Sequence, residues 1–215
     1  MPHQDLEQLA ELATSQGMVF TTAQAQQIGI DRLALSRLAK RGKLERMAQG
    51  VYRIADNPPA VNDQIRVEWM STQPQVTVEQ RLDTPSIIVG GMTAAFLWGY
   101  TAQNQVPYQF YTKERKQTQR SELQYLLRDF GEDDYRRLDG LPVARIEYVI
   151  ADLVRRGSAF SQLSEVLKAV KDRMVNEPDL AEQFDWDYLD RIVGDVTGKE
   201  WFTLWRTSTR ILSQR

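Results

Sequence analysis

The chain has 215 residues, of which 42% are hydrophobic and 26% charged, and its formal net charge is −2. These are the proportions of a globular protein rather than a disordered or fibrous one, and the length suits one large or two small domains. It has no cysteine, which removes disulfides, thiol nucleophiles and cysteine-ligated zinc, and with them any sign of an oxidising compartment.

The opening run MPHQDLEQLAELATSQ carries early acids and no apolar block of the signal-peptide kind. No later stretch approaches the ~18 consecutive apolar residues of a membrane span, so a cytoplasmic protein with no membrane partner is expected. Within the opening run Leu6, Leu9, Ala10, Leu12 and Ala13 recur at helical spacing, with Gly17 placed to stop a helix. Met18-Val19-Phe20 is short and apolar, and Thr21 stands three residues before Gln24, the spacing of a capping box that opens a second helix near Thr22. That helix stops at Ile28-Gly29-Ile30, where glycine supplies the positive φ of a tight inter-helix turn. Asp31 then caps a third helix, RLALSRLAKR, which runs to Gly42.

On the third helix Leu35, Leu38 and Ala39 share one face, while Arg32, Ser36, Arg37 and Lys40 share roughly the opposite one. KLERMAQGVYRI continues as two short extended segments about Ala48-Gln49-Gly50, the outline of a wing. The predicted unit is a winged helix-turn-helix over residues 1–56. Its third helix fits a DNA major groove, and Arg41 extends the cationic run. On the wing Lys43, Arg46 and Arg53 are candidate phosphate contacts. Charge supports the assignment. Residues 21–55 carry a local net of +5, whereas residues 172–200 carry −6, a division expected of an anion-binding head and a tail that avoids nucleic acid.

Asn57-Pro58-Pro59 reads as a linker, and residues 60–215 read as a second, α+β domain. Val61 to Met70 has a helical pattern, and PSIIVGGMTAAFLWGY over 85–100 is apolar, with small residues that permit close helix packing. Val106 to Tyr111 and Leu123 to Leu127 read as strands. The basic run TKERKQTQR between them is either a second DNA contact or a surface hairpin. A turn at Asp139-Gly140 leads through Leu141-Pro142-Val143 into a helix from Ile146 to Arg156. Phe160 to Met174, Asp185 to Arg191 and WFTLWRTSTRIL are helical by period, and Trp186, Trp201, Phe202 and Trp205 are candidates for either the core or a partner interface.

Gly29-Ile30, Leu38, Arg41-Gly42-Lys43-Leu44 and Gly50-Val51-Tyr52-Arg53 together resemble the N-terminal domain of the AbiEi-type antitoxins, transcriptional regulators of bacterial abortive-infection, type IV toxin–antitoxin operons. Asp139-Gly140-Leu141-Pro142-Val143 followed by Ala151-Asp152-Leu153 resembles the DGLPV…ADL segment of the same family. The chain departs from it at Ala144-Arg145-Ile146-Glu147, where many relatives carry Thr/Ser-Pro-Glu-Arg. The resemblance implies binding to inverted-repeat operator DNA through Arg32, Ser36, Arg37, Lys40 and Lys43, autoregulation, and opposition to a toxin similar to a nucleotidyltransferase, by direct or indirect means.

An enzyme is not expected, nor a cofactor. The single histidine, His3, stands in a terminal segment, which removes histidine-dependent triads and metal sites. No GxxxxGK[ST] run is present, and Gly90-Gly91 lacks the GxGxxG pattern. Carboxylate-held magnesium at Glu132, Asp133 and Asp134 stays open, and with it a DNA-targeted nuclease; the same acids also suit a solvated turn. A general winged-helix regulator with an effector-binding or dimerising second domain is the other alternative.

Overall fold

The computed structural model describes residues 2–55, 62–103, 106–157, 160–177, 183–194 and 200–212. The expected linker at 57–59 and the side chains of His3 and Trp201 lie outside the described residues.

The N-terminal module is built as its punctuation predicts. Helix α1 (Pro2–Thr14) is followed by strand β1 (Val19–Thr21), helix α2 (Thr22–Gln27), helix α3 (Arg32–Lys40), and strands β2 (Leu44–Ala48) and β3 (Val51–Ile54). Thr21 and Gln24 form the expected capping box at the start of α2. The Asp31 carboxylate accepts from the Ala34 amide at 2.7 Å and so opens α3. Between the two helices Gly29 takes φ +86°. The strands form one antiparallel sheet in the order β1-β3-β2. Its helix-facing side holds Phe20, Leu44 and Ile54 in a core with Leu9, Ala13, Ala25, Ile30, Leu35 and Leu38. The wing is short, because the Thr22 amide donates to the Gly50 carbonyl at 2.8 Å and ties the β2–β3 turn to the start of α2.

Helix α4 (Asp63–Ser71) joins the module to the second half of the chain. Because strand side chains alternate in direction, Val19 and Val51 leave the first core and join the second, larger one, together with Ile65, Val67 and Trp69 of α4. α4 therefore covers the back of the small sheet. Arg66 of α4 donates to the Asp139 carbonyl, and a Cβ at Gly17 would stand 2.9 Å from its guanidinium, so one side chain lies against both the N-terminal module and the second half.

The second half is α+β. After helix α5 (Val78–Asp83) come strand β4 (Ile87–Val89), helix α6 (Gly91–Leu97), and strands β5 (Tyr108–Thr112), β6 (Leu123–Leu127), β7 (Tyr135–Leu138) and β8 (Leu141–Ala144). The chain then continues as helices α7 (Ile146–Arg156), α8 (Phe160–Asn176), α9 (Trp186–Val193) and α10 (Glu200–Leu212). The sheet order is β6-β5-β4-β8-β7. β4 and β8, at its centre, are buried along their whole length, as strands covered on both faces are.

The structure supplies details that local spacing does not, while the expected turn at Asp139-Gly140 and helix from Ile146 to Arg156 are present. The apolar run at 85–100 is core, as expected, and holds both a strand and a helix, since Ile87–Val89 enters the sheet and α6 ends at Leu97. Asp139-Gly140 joins two strands, β7 and β8, with φ +49° and +70° at the turn, the left-handed pair a tight hairpin demands. The basic run after β5 is not a hairpin, because β5 and β6 pair in parallel, and the segment must travel back along the sheet to start β6. The glycine pair at 90–91 serves packing. A Cβ on Gly90 would stand 2.5 Å from the Tyr111 ring, and one on Gly91 would stand 1.9 Å from the Gln109 amide oxygen.

Candidate nucleic-acid interface

α3 presents its buried side, Leu35 and Leu38, to the first core. Its outer side leaves Arg32, Arg37 and Lys40 exposed and Ser36 half-buried, and Arg41 and Lys43 at its end and Arg46 on β2 are exposed as well. Among the described residues none of these six cations is engaged by a carboxylate, so their positive potential is not cancelled locally. The helix is 9 residues long, about 14 Å at ~1.5 Å per residue, and a major groove ~12 Å wide admits it. Arg46 pairs across from Tyr52 and Leu44 from Ile54, which puts Arg46 on the helix-facing side of the sheet. α4 lies on the other side, so the second half of the chain stands behind the exposed face.

Arg53 is the exception and a correction. It is 6% exposed, on the back of the sheet beside Val51, two residues from it and hence in the same direction. Its guanidinium pairs with Asp63 at 3.1 Å and with Glu45. Burial by itself lowers its pKa, but the hydrogen bonds and charges of Glu45 and Asp63 outweigh that and hold it above the ordinary arginine value. Arg53 is thus a buried tie between the wing and α4, with no access to phosphate.

Leu33 is an unexpected apolar residue at this surface. It lies on the outer face with Ser36, Arg37 and Lys40, and it is 57% exposed. Its i, i+3, i+4, i+7 relation to those three is legible in the sequence, but helical periodicity assigns apolar residues to the core face rather than to a polar one.

Residues 7–55 match the AbiEi antitoxin family of transcriptional regulators. The resemblance carried by Gly29-Ile30 and by the run from Arg41 to Arg53 therefore holds for the module that bears α3 and the wing. No curated protein matches the chain. Besides the Arg53–Asp63 pair, neutral polar contacts join the N-terminal module to the second half. Gln24 donates to Gln16 at 3.0 Å and to the Val76 carbonyl at 2.9 Å, and the Val78 amide donates to Gln16 at 3.0 Å. Thr21 donates to the Pro74 carbonyl.

In the second half, the Asp152 of the ADL segment is structural. It accepts from the Tyr111 hydroxyl at 2.9 Å and pairs with Arg156 at 3.0 Å and with Arg128. Burial, with the nearby Asp152 charge, holds the Tyr111 hydroxyl far above its usual pKa. Arg145 pairs with Glu147 at 3.3 Å and with Asp185 at 3.1 Å, tying the start of α7 to the start of α9. Arg145 edges a cleft of about 320 Å³ that is also lined by Trp98, Tyr100, Arg136, Glu147 and Arg173. The charges of Arg145 and Arg173 are answered by Glu147, Asp185 and Glu177. Glu132, Asp133 and Asp134 form one 3₁₀ turn, in which Asp134 accepts from the Gly131 amide and the Tyr188 hydroxyl. Among the described residues no group of three or more His, Cys, Asp or Glu is placed to hold a metal ion, and no helix is long and apolar enough to cross a membrane. Of the described members of the aromatic group, Phe202 and Trp186 are buried and Trp205 is half-buried, with Trp186 lying between Phe184 at 4.7 Å and Trp205 at 6.0 Å.

Proposed function

We propose that the chain is a DNA-binding transcriptional repressor acting as the antitoxin of a bacterial toxin–antitoxin system. In this reading it represses its own operon through inverted repeats in double-stranded DNA, opposes a nucleotidyltransferase-like toxin, and performs no catalysis. One observation carries the proposal: the exposed, uncompensated cationic face of α3 in a module that matches a family of antitoxin regulators. Residues 1–56 are the DNA-binding part, and residues 60–215 face the toxin or receive its signal.

The test begins with selection of a duplex from a randomised library by the full chain. If Arg37 reads a guanine edge, Arg37→Ala should cost roughly 1–3 kcal/mol on the selected duplex and much less on scrambled DNA. Lys43→Ala and Arg46→Ala, as phosphate contacts, should weaken both duplexes alike and each lower the slope of log affinity against log salt by about one. Fluorescence anisotropy over a salt series reads both. An unchanged specificity ratio for Arg37→Ala, with collapse of that ratio for the wing variants, would make the wing the reader.

A further inference from the structure

The outer face of α3 is not uniformly polar. Leu33, Ser36, Arg37 and Lys40 keep the i, i+3, i+4, i+7 spacing of one helical stripe, and Leu35 and Leu38 are buried on the far side. At about 100° per residue, Leu33 points almost directly away from the core that Leu35 enters. It is 57% exposed, with cations at Arg37 and Lys40 on the same stripe, and it lies in the first turn of α3. It belongs to neither hydrophobic cluster, so its side chain contributes no core packing. In a helix-turn-helix the first turns of the second helix approach the base edges most closely, and a residue at the centre of the outer face meets them rather than the phosphates.

We propose that Leu33 reads the C5-methyl group of a thymine in the operator, an inference that rests on α3 being the recognition helix. A leucine side chain has no donor or acceptor, so it cannot distinguish bases by hydrogen bonding. The apolar group a standard base pair displays in the major groove is the thymine methyl. Burying that methyl against Leu33 removes apolar surface of both partners from water. The geometry also sets a spacing. Leu33 and Arg37 are four residues apart, about 6 Å along the helix axis, which is close to two base steps of ~3.4 Å. The half-site should therefore carry a thymine within about two steps of the guanine that Arg37 contacts.

The experiment uses the full chain, the selected duplex, and the same duplex with deoxyuridine in place of every thymidine, which deletes the methyl and leaves every hydrogen-bonding group. The unaltered chain should bind the uracil duplex about fourfold more weakly for each methyl that Leu33 covers. Leu33→Ala should bind the thymine duplex correspondingly less tightly and show a thymine-to-uracil ratio near one. Its affinity for random DNA, carried by phosphate contacts, should not change. Because Leu33 is exposed, the variant should keep the circular dichroism and melting curve of the parent. Equal binding of both duplexes by the unaltered chain would overturn the inference and leave the DNA-binding reading intact. The same thymine preference persisting in Leu33→Ala would also overturn it, because the methyl would then be read by another group. A shift in sedimentation of Leu33→Ala, with methyl discrimination retained, would assign the side chain to a contact between copies instead. If no duplex is enriched at all, the DNA-binding reading fails and the inference with it.

Discussion

Arg53 and Arg46 lie in the same short hairpin, carry the same charge, and have opposite fates. Arg46 faces the helix side of an edge strand and stays exposed, whereas Arg53 faces α4 and is paired with Asp63 and Glu45. Removing one member of a buried pair leaves the other charged and unsolvated, so Arg53→Ala should destabilise the chain by about 3 kcal/mol, read as a lowered urea midpoint. Its effect on DNA should vanish once the folded fraction is corrected for, with no change in salt slope. A normal midpoint with a reduced slope would restore Arg53 as a phosphate contact. Asp185 offers a second residue-scale test. Its carboxylate caps α9 by accepting from the Tyr188 amide at 2.8 Å and pairs with Arg145. The Tyr188 amide first, then Arg145, hold its pKa below the ordinary 3.8 against the opposing effect of burial. A depressed folded-state pKa stabilises the fold above the unfolded value, and that stabilisation drains away as pH falls through the folded value. Stability should thus decline below about pH 4, and Asp185→Asn should be less stable at neutral pH and flatter across that acid range. Identical acid titrations of the two proteins, followed by circular dichroism, would remove Asp185 from this role.

At the scale of elements, the turn between α2 and α3 sets how α3 is presented. Gly29 holds φ +86°, and nothing lies within 4 Å of where a Cβ would stand. The penalty for another residue is therefore backbone strain rather than collision, about 1–2 kcal/mol for an ordinary side chain and more for a β-branched one. Gly29→Val should lower the melting temperature and weaken operator binding, and Gly29→Asn, which tolerates the left-handed region, should do less of both. Equal behaviour of the two variants would show that φ at this turn is not what matters. The capping box at Thr21, the cap at Asp31 and the glycines around α3 act over three or four residues, and each was legible. β4 was not. Its three residues run directly through Gly90 into α6, and a three-residue strand inside a longer apolar run has no period to distinguish it from helix. The parallel pairing of β5 and β6 escaped for another reason: strand direction is set by sheet partners far away in the chain, while local residues report only that two strands exist.

At the scale of the whole molecule, the N-terminal module does not close its own sheet. Val19 and Val51 are buried in the core they share with α4 and the second sheet, and Gln16, Gln24 and Arg53 take partners from residues 63–78. Exposing two valines costs about 3 kcal/mol, and Arg53 would lose Asp63 as well. A fragment of residues 1–76 should therefore melt cooperatively at a higher temperature than residues 1–56, and both should hold more DNA affinity than residues 60–215. DNA binding confined to the last fragment would overturn the assignment of the interface. Equal melting of the first two would show that α4 contributes nothing to the module.

The amino-acid sequence by itself determined the helix-turn-helix, its caps and turns, the buried and outer faces of α3, and the polarity of charge along the chain. Each of these is encoded within one or two turns of backbone, where spacing alone dictates which side chains share a face. The tertiary structure decided which way each strand faces and what covers it. It turned Arg53 from a phosphate contact into a buried ion pair and the apolar run at 85–100 into strand and helix. It also placed the aromatic residues near the C-terminus against one another. These outcomes depend on partners dozens of residues away, and burial, the largest favourable term in folding, is a property of the packed assembly rather than of any local run.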